Sequence, residues 1–123
     1  MIRVLMADDH PALIGGVKQL LALEDDIRIV AEAADGHQLL EQLAVVQVDL
    51  ILLDLHMPGL SGVALIARIR ACDPRCPVLV YSMCNEPQVM RAVRGAGAAG
   101  YVTKDSDPDV LLDAIRKAAA GAR

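Results

Sequence analysis

A chain of 123 residues is the size of one ordinary domain, and its 54% hydrophobic and 23% charged residues supply enough apolar surface to offset chain entropy, which excludes disorder. Twelve Lys and Arg against 16 Asp and Glu leave a net charge of −4, the wrong sign for a phosphate-backbone binder. Aromatics make up only 2%, with no Trp or Phe, so the chain cannot build a stacking platform for single-stranded nucleic acid.

Ile2 to Ala7 is a short apolar run closed by Asp8-Asp9-His10-Pro11, which predicts a first strand. Leu13, Ile14, Val17, Leu20 and Leu21 then recur at helical spacing, with Pro11 where a first-turn proline is tolerated. The period repeats: Ile27 to Ala31 as strand, a helix carrying Leu39, Leu40 and Leu43 after Asp35-Gly36, and Val48 to Leu53 as strand. Ser61 is expected to cap a helix with Val63, Leu65, Ile66 and Ile69 on one side, ended by Asp73-Pro74 before the strand Val78 to Tyr81. A fourth helix carries Val89, Met90 and Val93 after Pro87 and stops at Gly95 and Gly97. Ala98 to Val102 is the fifth strand, and Asp107-Pro108 opens a last helix burying Leu111, Leu112, Ile115 and Ala118.

Five strand-helix pairs in strict alternation predict an α/β domain over residues 1–123, a parallel sheet with helices on both faces. Leu50-Ile51-Leu52-Leu53, apolar on both sides, is what a doubly covered strand requires. Such folds work outside the carboxyl ends of their strands. Gly95-Ala96-Gly97-Ala98-Ala99-Gly100 spells a dinucleotide fingerprint, but it ends a helix and enters a strand, the reverse of the required context.

Cys72, Cys76 and Cys84 form an odd set at low density, which points to a reducing compartment, and with His10, His37 and His56 scattered they make no zinc site. The apolar start holds Arg3 and gives way to acid at Asp8, so it is neither a signal peptide nor a membrane span, and a cytoplasmic location without membrane partners is expected.

The carboxyl ends carry Asp8 and Asp9 after the first strand, Asp54 after the third, Ser82 at the fourth and Lys104 after the fifth. Singly, Asp9 could cap a helix, Ser82 close a turn and Lys104 sit on the surface. Gathered at one edge, three carboxylates repel and call for a cation, and an oxygen-only set with room for water suits Mg²⁺. A carboxylate beside a held cation can attack phosphorus, with Lys104 and Ser82 holding phosphoryl oxygens.

In these residues the chain resembles the receiver domain of two-component response regulators, the CheY-like family, over essentially its whole length. Asp8-Asp9 resemble the family's acidic pair, Asp54-Leu55-His56-Met57-Pro58-Gly59 its phosphoacceptor loop, Ser82 its hydroxyl residue, Tyr101 its rotating aromatic and Lys104 its lysine. Ala7-Asp8-Asp9-His10-Pro11, Gly97-Ala98-Ala99-Gly100-Tyr101 and Lys104-Asp105 are most similar to the NarL or LuxR-type branch, whose members carry a C-terminal helix-turn-helix.

The resemblance implies a flavodoxin-like sheet of order 2-1-3-4-5. It implies that Asp54 takes a phosphoryl group from a sensor histidine kinase, with Mg²⁺ on Asp9, Asp54 and the backbone carbonyl of His56, and Asp8 acting through metal-bound water. Lys104 and Ser82 would grip the phosphoryl group, Tyr101 would turn inward, and the domain would catalyse only its own phosphorylation and dephosphorylation. It further implies a DNA-binding output domain beyond these residues and a homodimer formed on phosphorylation. Gly15 and Gly16 beside Ala114, Ala118, Ala119 and Ala120 offer one dimer surface, and Arg91, Arg94, Asp107, Asp109 and Asp113 offer another.

Three departures from the family pattern stand out: Asp105 in place of proline after the lysine, which raises the question of a cis peptide, the bulky Met83, and the Gly15-Gly16 pair inside a helix. Two rivals share part of the chemistry. A haloacid-dehalogenase-like phosphatase also uses Asp, Mg²⁺ and Lys, but opens with D-x-D where this chain has adjacent Asp8-Asp9. A phosphorylation-independent binding module would be expected to lose part of the acidic set, which is intact here.

Overall fold

The computed structural model describes residues 1–121. Strands Ile2–Ala7 (β1), Ile27–Ala33 (β2), Leu50–Leu53 (β3), Val78–Ser82 (β4) and Gly100–Thr103 (β5) alternate with helices Pro11–Ala22 (α1), Gly36–Val45 (α2), Gly62–Cys72 (α3), Pro87–Gly95 (α4) and Pro108–Gly121 (α5). The sheet is parallel throughout, in the order β2-β1-β3-β4-β5, as the resemblance implies.

Period-two alternation sorts strand side chains onto two faces, and each face has its own core. Leu5, Ile51, Leu53, Val78 and Val80 pack with Leu39 of α2, Leu65, Ile66 and Ile69 of α3, and Val93 of α4. On the other face Val4, Met6, Leu50, Leu52 and Leu79 meet Ile14, Val17 and Leu21 of α1 and Leu111, Leu112 and Ile115 of α5. Central β3 is therefore buried at all of its positions. At about 25 cal/mol per Å², burial of this aliphatic core is the main favourable term in folding.

The elements stand where the apolar periods place them, and the differences have local causes. β2 runs two residues further, to Ala33, because the Asp8 N–H donates to the Ala33 carbonyl at 2.9 Å and carries the β1 ladder on. A register shift between Val4 and Leu5 on β1 leaves Val30 of edge strand β2 as the extra, exposed residue. β3 begins at Leu50 rather than Val48, since pairing with β1 starts at Val4 and Leu50 and the Asp49 carboxylate is drawn to Arg3. β4 extends to Ser82, and β5 starts at Gly100 and reaches Thr103.

Three helix expectations are corrected. Ser61 precedes α3, but its side chain makes no capping bond; only its carbonyl accepts, from the Leu65 N–H. Val63, in the first turn, faces solvent at 46% exposure and leaves the core to Leu65, Ile66 and Ile69. Ala118 is half-buried, packed against the core rather than within it. Asp35 does cap α2, accepting from the Gln38 N–H at 2.9 Å.

No peptide bond among the described residues is cis, so Lys104-Asp105 is trans. A Cβ at Gly15 or Gly16 would meet open space, and the pair does not mark a close approach within the chain. Gly97 does mark a tight place, with φ of 116° and the Arg70 side chain 3.1 Å from where a Cβ would stand, so the glycine-rich run is a helix stop and turn.

Candidate functional site

Backbone ladders bring the sequence-selected residues to one edge. Past the last rung of β1, the Asp54 N–H donates to the Ala7 carbonyl at 2.9 Å, and the Lys104 N–H donates to the Ser82 carbonyl at 2.9 Å. Asp8, Asp54, Ser82 and Lys104 thus continue neighbouring strands, and their side chains crowd the carboxyl end of the sheet.

The crowding leaves carboxylates nearly dry. Asp8 is 1% exposed and Asp54 3%. Asp8 is fully engaged: its Oδ1 accepts from the His10 N–H at 2.9 Å and lies 3.0 Å from His10 Nδ1, while its Oδ2 accepts from Lys104 Nζ at 2.8 Å. Asp54 is not. Its Oδ1 accepts from the His56 N–H at 3.3 Å and lies 3.5 Å from Lys104 Nζ, but its Oδ2 is buried with no hydrogen-bond partner. A buried carboxylate oxygen without a donor costs free energy, and such an exception asks for an explanation.

Asp9 stands at the rim with its side chain one-third exposed, its Oδ1 3.0 Å from His10 Nδ1. Asp8, Asp9, His10 and Asp54 each bring one ligand atom, all within 4.8 Å of one another, so these residues suit a divalent cation that would also meet the orphaned Asp54 oxygen.

Ser82 is fully buried, and its Oγ accepts from the Cys84 N–H at 3.2 Å. The Tyr101 hydroxyl donates to the Cys84 carbonyl at 2.5 Å, and its ring packs against the α2–α3–α4 core. Burial is the leading cause that holds this phenol above its usual pKa, so it remains a donor at neutral pH. Ser82 and Tyr101 are therefore tied to the same residue of the loop between β4 and α4. Met83, in that loop, is 66% exposed.

All the residues singled out from sequence thus converge: Asp8, Asp9, Asp54, Ser82 and Lys104 at the edge, with His56 and Tyr101 beside it. From sequence His10 and Cys84 read only as loop positions flanking the site, and the structure gives each a definite contact. The Asp-x-His spacing could have revealed the first, since an Asp side chain commonly accepts from the backbone two residues on; nothing local reveals that the Cys84 carbonyl receives Tyr101. A groove along β5 and α5, among Arg70, Arg94 and Lys117, lies elsewhere and holds none of the acidic cluster.

A parallel sheet of this order, with a charge cluster at the carboxyl edge where the strand order switches, defines a doubly wound α/β domain with a cation-seeking acidic pocket. Residues 4–116 match the response regulator receiver domain family. The nitrate/nitrite response regulator protein NarL of Escherichia coli (strain K12) is 41% identical over 118 residues, covering 96% of this chain and 55% of the relative. The two-component response regulator of the LuxR family from Aurantimonas sp. SI85-9A1 superposes with a TM-score of 0.92 at 34% identity, covering 98% of this chain and 86% of that one. RcsB from Salmonella enterica serovar Typhimurium, solved bound to promoter rprA in the presence of phosphomimetic BeF₃⁻, gives 0.88 at 29% identity over 94% and 67% of the two chains.

The chain belongs to the receiver domains of two-component response regulators, among relatives of the NarL and LuxR type. It spans about half the length of the curated relatives it matches. The phosphatase alternative is not favoured. No helix among the described residues is long and apolar enough to cross a membrane.

Proposed function

We propose that this domain is a phosphorylation switch: Asp54 accepts a phosphoryl group from a phosphohistidine of a sensor histidine kinase. The observation that carries the reading is the Asp54 carboxylate, buried at a strand end, with Oδ2 unmet and Lys104 Nζ 3.5 Å from Oδ1. An Asp54 oxygen forms a bond to phosphorus as the phosphorus–nitrogen bond breaks, and the electron pair leaves on the donor imidazole nitrogen. Asp9, Asp54 and the His56 carbonyl would hold Mg²⁺ directly, and Asp8 through water. When bound, Mg²⁺ neutralises carboxylate charge and steadies the phosphoryl oxygens.

Lys104 then exchanges part of its hold on Asp8 for the phosphoryl group, and the Ser82 hydroxyl turns from the Cys84 N–H to donate to a phosphoryl oxygen. That exchange draws the β4–α4 loop inward. Because Tyr101 hangs on the Cys84 carbonyl, it moves with the loop. The domain has no separate substrate and acts only on its own phosphorylation state. Its output is a DNA-binding domain following it in the full-length protein, and the protein works in the cytoplasm.

Phosphorylation favours a homodimer, through the face of Gly15, Gly16, Ala114 and Ala118 on α1 and α5. Asp113, on the rival face, is already paired with Lys117 at 3.0 Å. Since a side chain at Gly15 meets open space, Gly15→Arg leaves the monomer folded and probes that face. Sedimentation velocity of the beryllofluoride-treated variant should show monomer where the parent dimerises, and equal dimerisation would exclude the face. The phosphoacceptor is tested by intact mass after a small-molecule phosphodonor: the wild type with Mg²⁺ gains one phosphoryl mass. Asp54→Asn, or the wild type in excess chelator, gains none; an equal gain by either contradicts the assignment.

A further inference from the structure

The acidic centre is not built of oxygen alone. His10 Nδ1 lies 3.0 Å from Asp8 Oδ1 and 3.0 Å from Asp9 Oδ1, and it shares with Asp8, Asp9 and Asp54 a group of ligand atoms all within 4.8 Å. An octahedral ion with bonds of about 2.1 Å holds neighbouring ligand atoms about 3.0 Å apart and opposite ones about 4.2 Å apart. The imidazole nitrogen therefore already sits at the ligand-to-ligand spacing of a coordination shell.

The chain holds the His10 backbone, and the two carboxylates place its ring, which is 65% exposed. His10 is the extended residue before α1, with φ of −109° and ψ of 98°, its N–H is spent on Asp8, and Pro11 locks the next turn. Asp8 has both oxygens engaged by the His10 N–H and Lys104 Nζ. The groups with capacity left are Asp9 at the rim, the unpartnered Asp54 Oδ2 at the floor, and the His10 ring between the rim and Asp8.

We infer that His10 Nδ1 is a direct ligand of later first-row ions held by this acidic centre, in addition to the oxygen ligands that would serve Mg²⁺. The site is then a mixed oxygen–nitrogen centre that prefers borderline transition ions such as Ni²⁺ or Co²⁺ over Mg²⁺. The inference rests on the reading of the cluster as a divalent-cation site and adds to it a ligand and a selectivity. Imidazole is a poor partner for hard Mg²⁺ and a good one for later first-row ions, whose affinities rise from Mn²⁺ to Ni²⁺ for a given donor set.

The test is calorimetric titration of the domain with Mg²⁺ and with Ni²⁺, in the wild type, His10→Ala, His37→Ala and Asp54→Asn, joined to pulsed electron paramagnetic resonance of the Mn²⁺ complex. His10→Ala is expected to weaken Ni²⁺ binding roughly tenfold or more while moving the Mg²⁺ constant by no more than about twofold. It should also erase nitrogen modulation from the Mn²⁺ spectrum. His37→Ala is expected to change none of these, and Asp54→Asn to weaken both ions. Ni²⁺ affinity unchanged in His10→Ala, or Mn²⁺ without nitrogen modulation in the wild type, overturns the histidine ligand while leaving Mg²⁺ binding intact. Absence of Mg²⁺ binding to the wild type overturns the cation reading itself, and the inference with it.

Discussion

The two ends of the sheet hold the same kinds of charged residue and treat them oppositely. At the amino edge acids are answered. Asp49 is gripped by Arg3 through Nε at 3.0 Å and a second guanidinium nitrogen at 3.1 Å, and Asp26 and Glu24 both accept from Arg116. These pairs are at least a quarter exposed, and hydrogen bonds hold the Asp49 and Asp26 carboxyls below the usual range. At the carboxyl edge Asp8 and Asp54 are buried, share Lys104, and leave one oxygen unmet. Charges that fasten a fold come with partners; a deficit of partners marks where a ligand is awaited, and it is kept at some cost in stability.

The comparison breaks most visibly at Lys104, whose side chain is 8% exposed. Lys104→Met leaves buried carboxylates facing one another and should cost about 3 kcal/mol in denaturant melts without metal. Added Mg²⁺ should restore part of the loss. Asp54→Asn should do the reverse and stabilise the metal-free fold by about 1.5 kcal/mol, since it removes the least-partnered buried charge.

At the other end, Asp49→Ala should destabilise by about 1 kcal/mol at neutral pH once solvent screening is allowed for, since it also strips the acceptor of the Arg3 backbone N–H. The Asp49 carboxyl has a folded pKa below its unfolded value, so its contribution is full above about pH 4 and fades as the pH falls through the folded value. Melts of wild type and variant should therefore converge in acid.

The smallest expected effect concerns thiols at the two ends. Cys76, next to β4 at the amino edge, is buried and its thiol is pushed up to about 12, chiefly by burial, whereas Cys72 is exposed and Cys84 half-buried. A thiol reagent at pH 8 should label Cys72 first and spare Cys76 until unfolding. Beryllofluoride should change the rate at Cys84 alone, because the proposed switch draws its loop inward.

The order of elements was legible because aliphatic runs of period two and 3.6 alternate with few interruptions, and the site because the strand ends carry little besides acids, a hydroxyl and a lysine. Illegible were the contacts that need the third dimension. Leu65, Ile66 and Ile69 read correctly as core, but Val63 belongs to the same stripe by sequence and faces solvent in the first turn. Gly36 looks like any helix-start glycine, yet a Cβ there would fall 2.3 Å from the Leu60 carbonyl oxygen, so it admits the loop that follows Asp54. Arg3 read as an interruption in an apolar strand, and only the fold places it against Asp49, 46 residues away.

The claim that the carboxyl edge is short of positive charge while the amino edge is satisfied is tested most directly by the effect of Mg²⁺ on melting temperature. With Mg²⁺ at about ten times its dissociation constant, binding adds about 1.4 kcal/mol, a rise of about 5 °C in a domain of this size. The account predicts that rise for the wild type and for Asp49→Ala, from its lower starting point, and its loss in Asp9→Ala and Asp54→Asn. An equal rise in all four proteins, or none in the wild type, would contradict it.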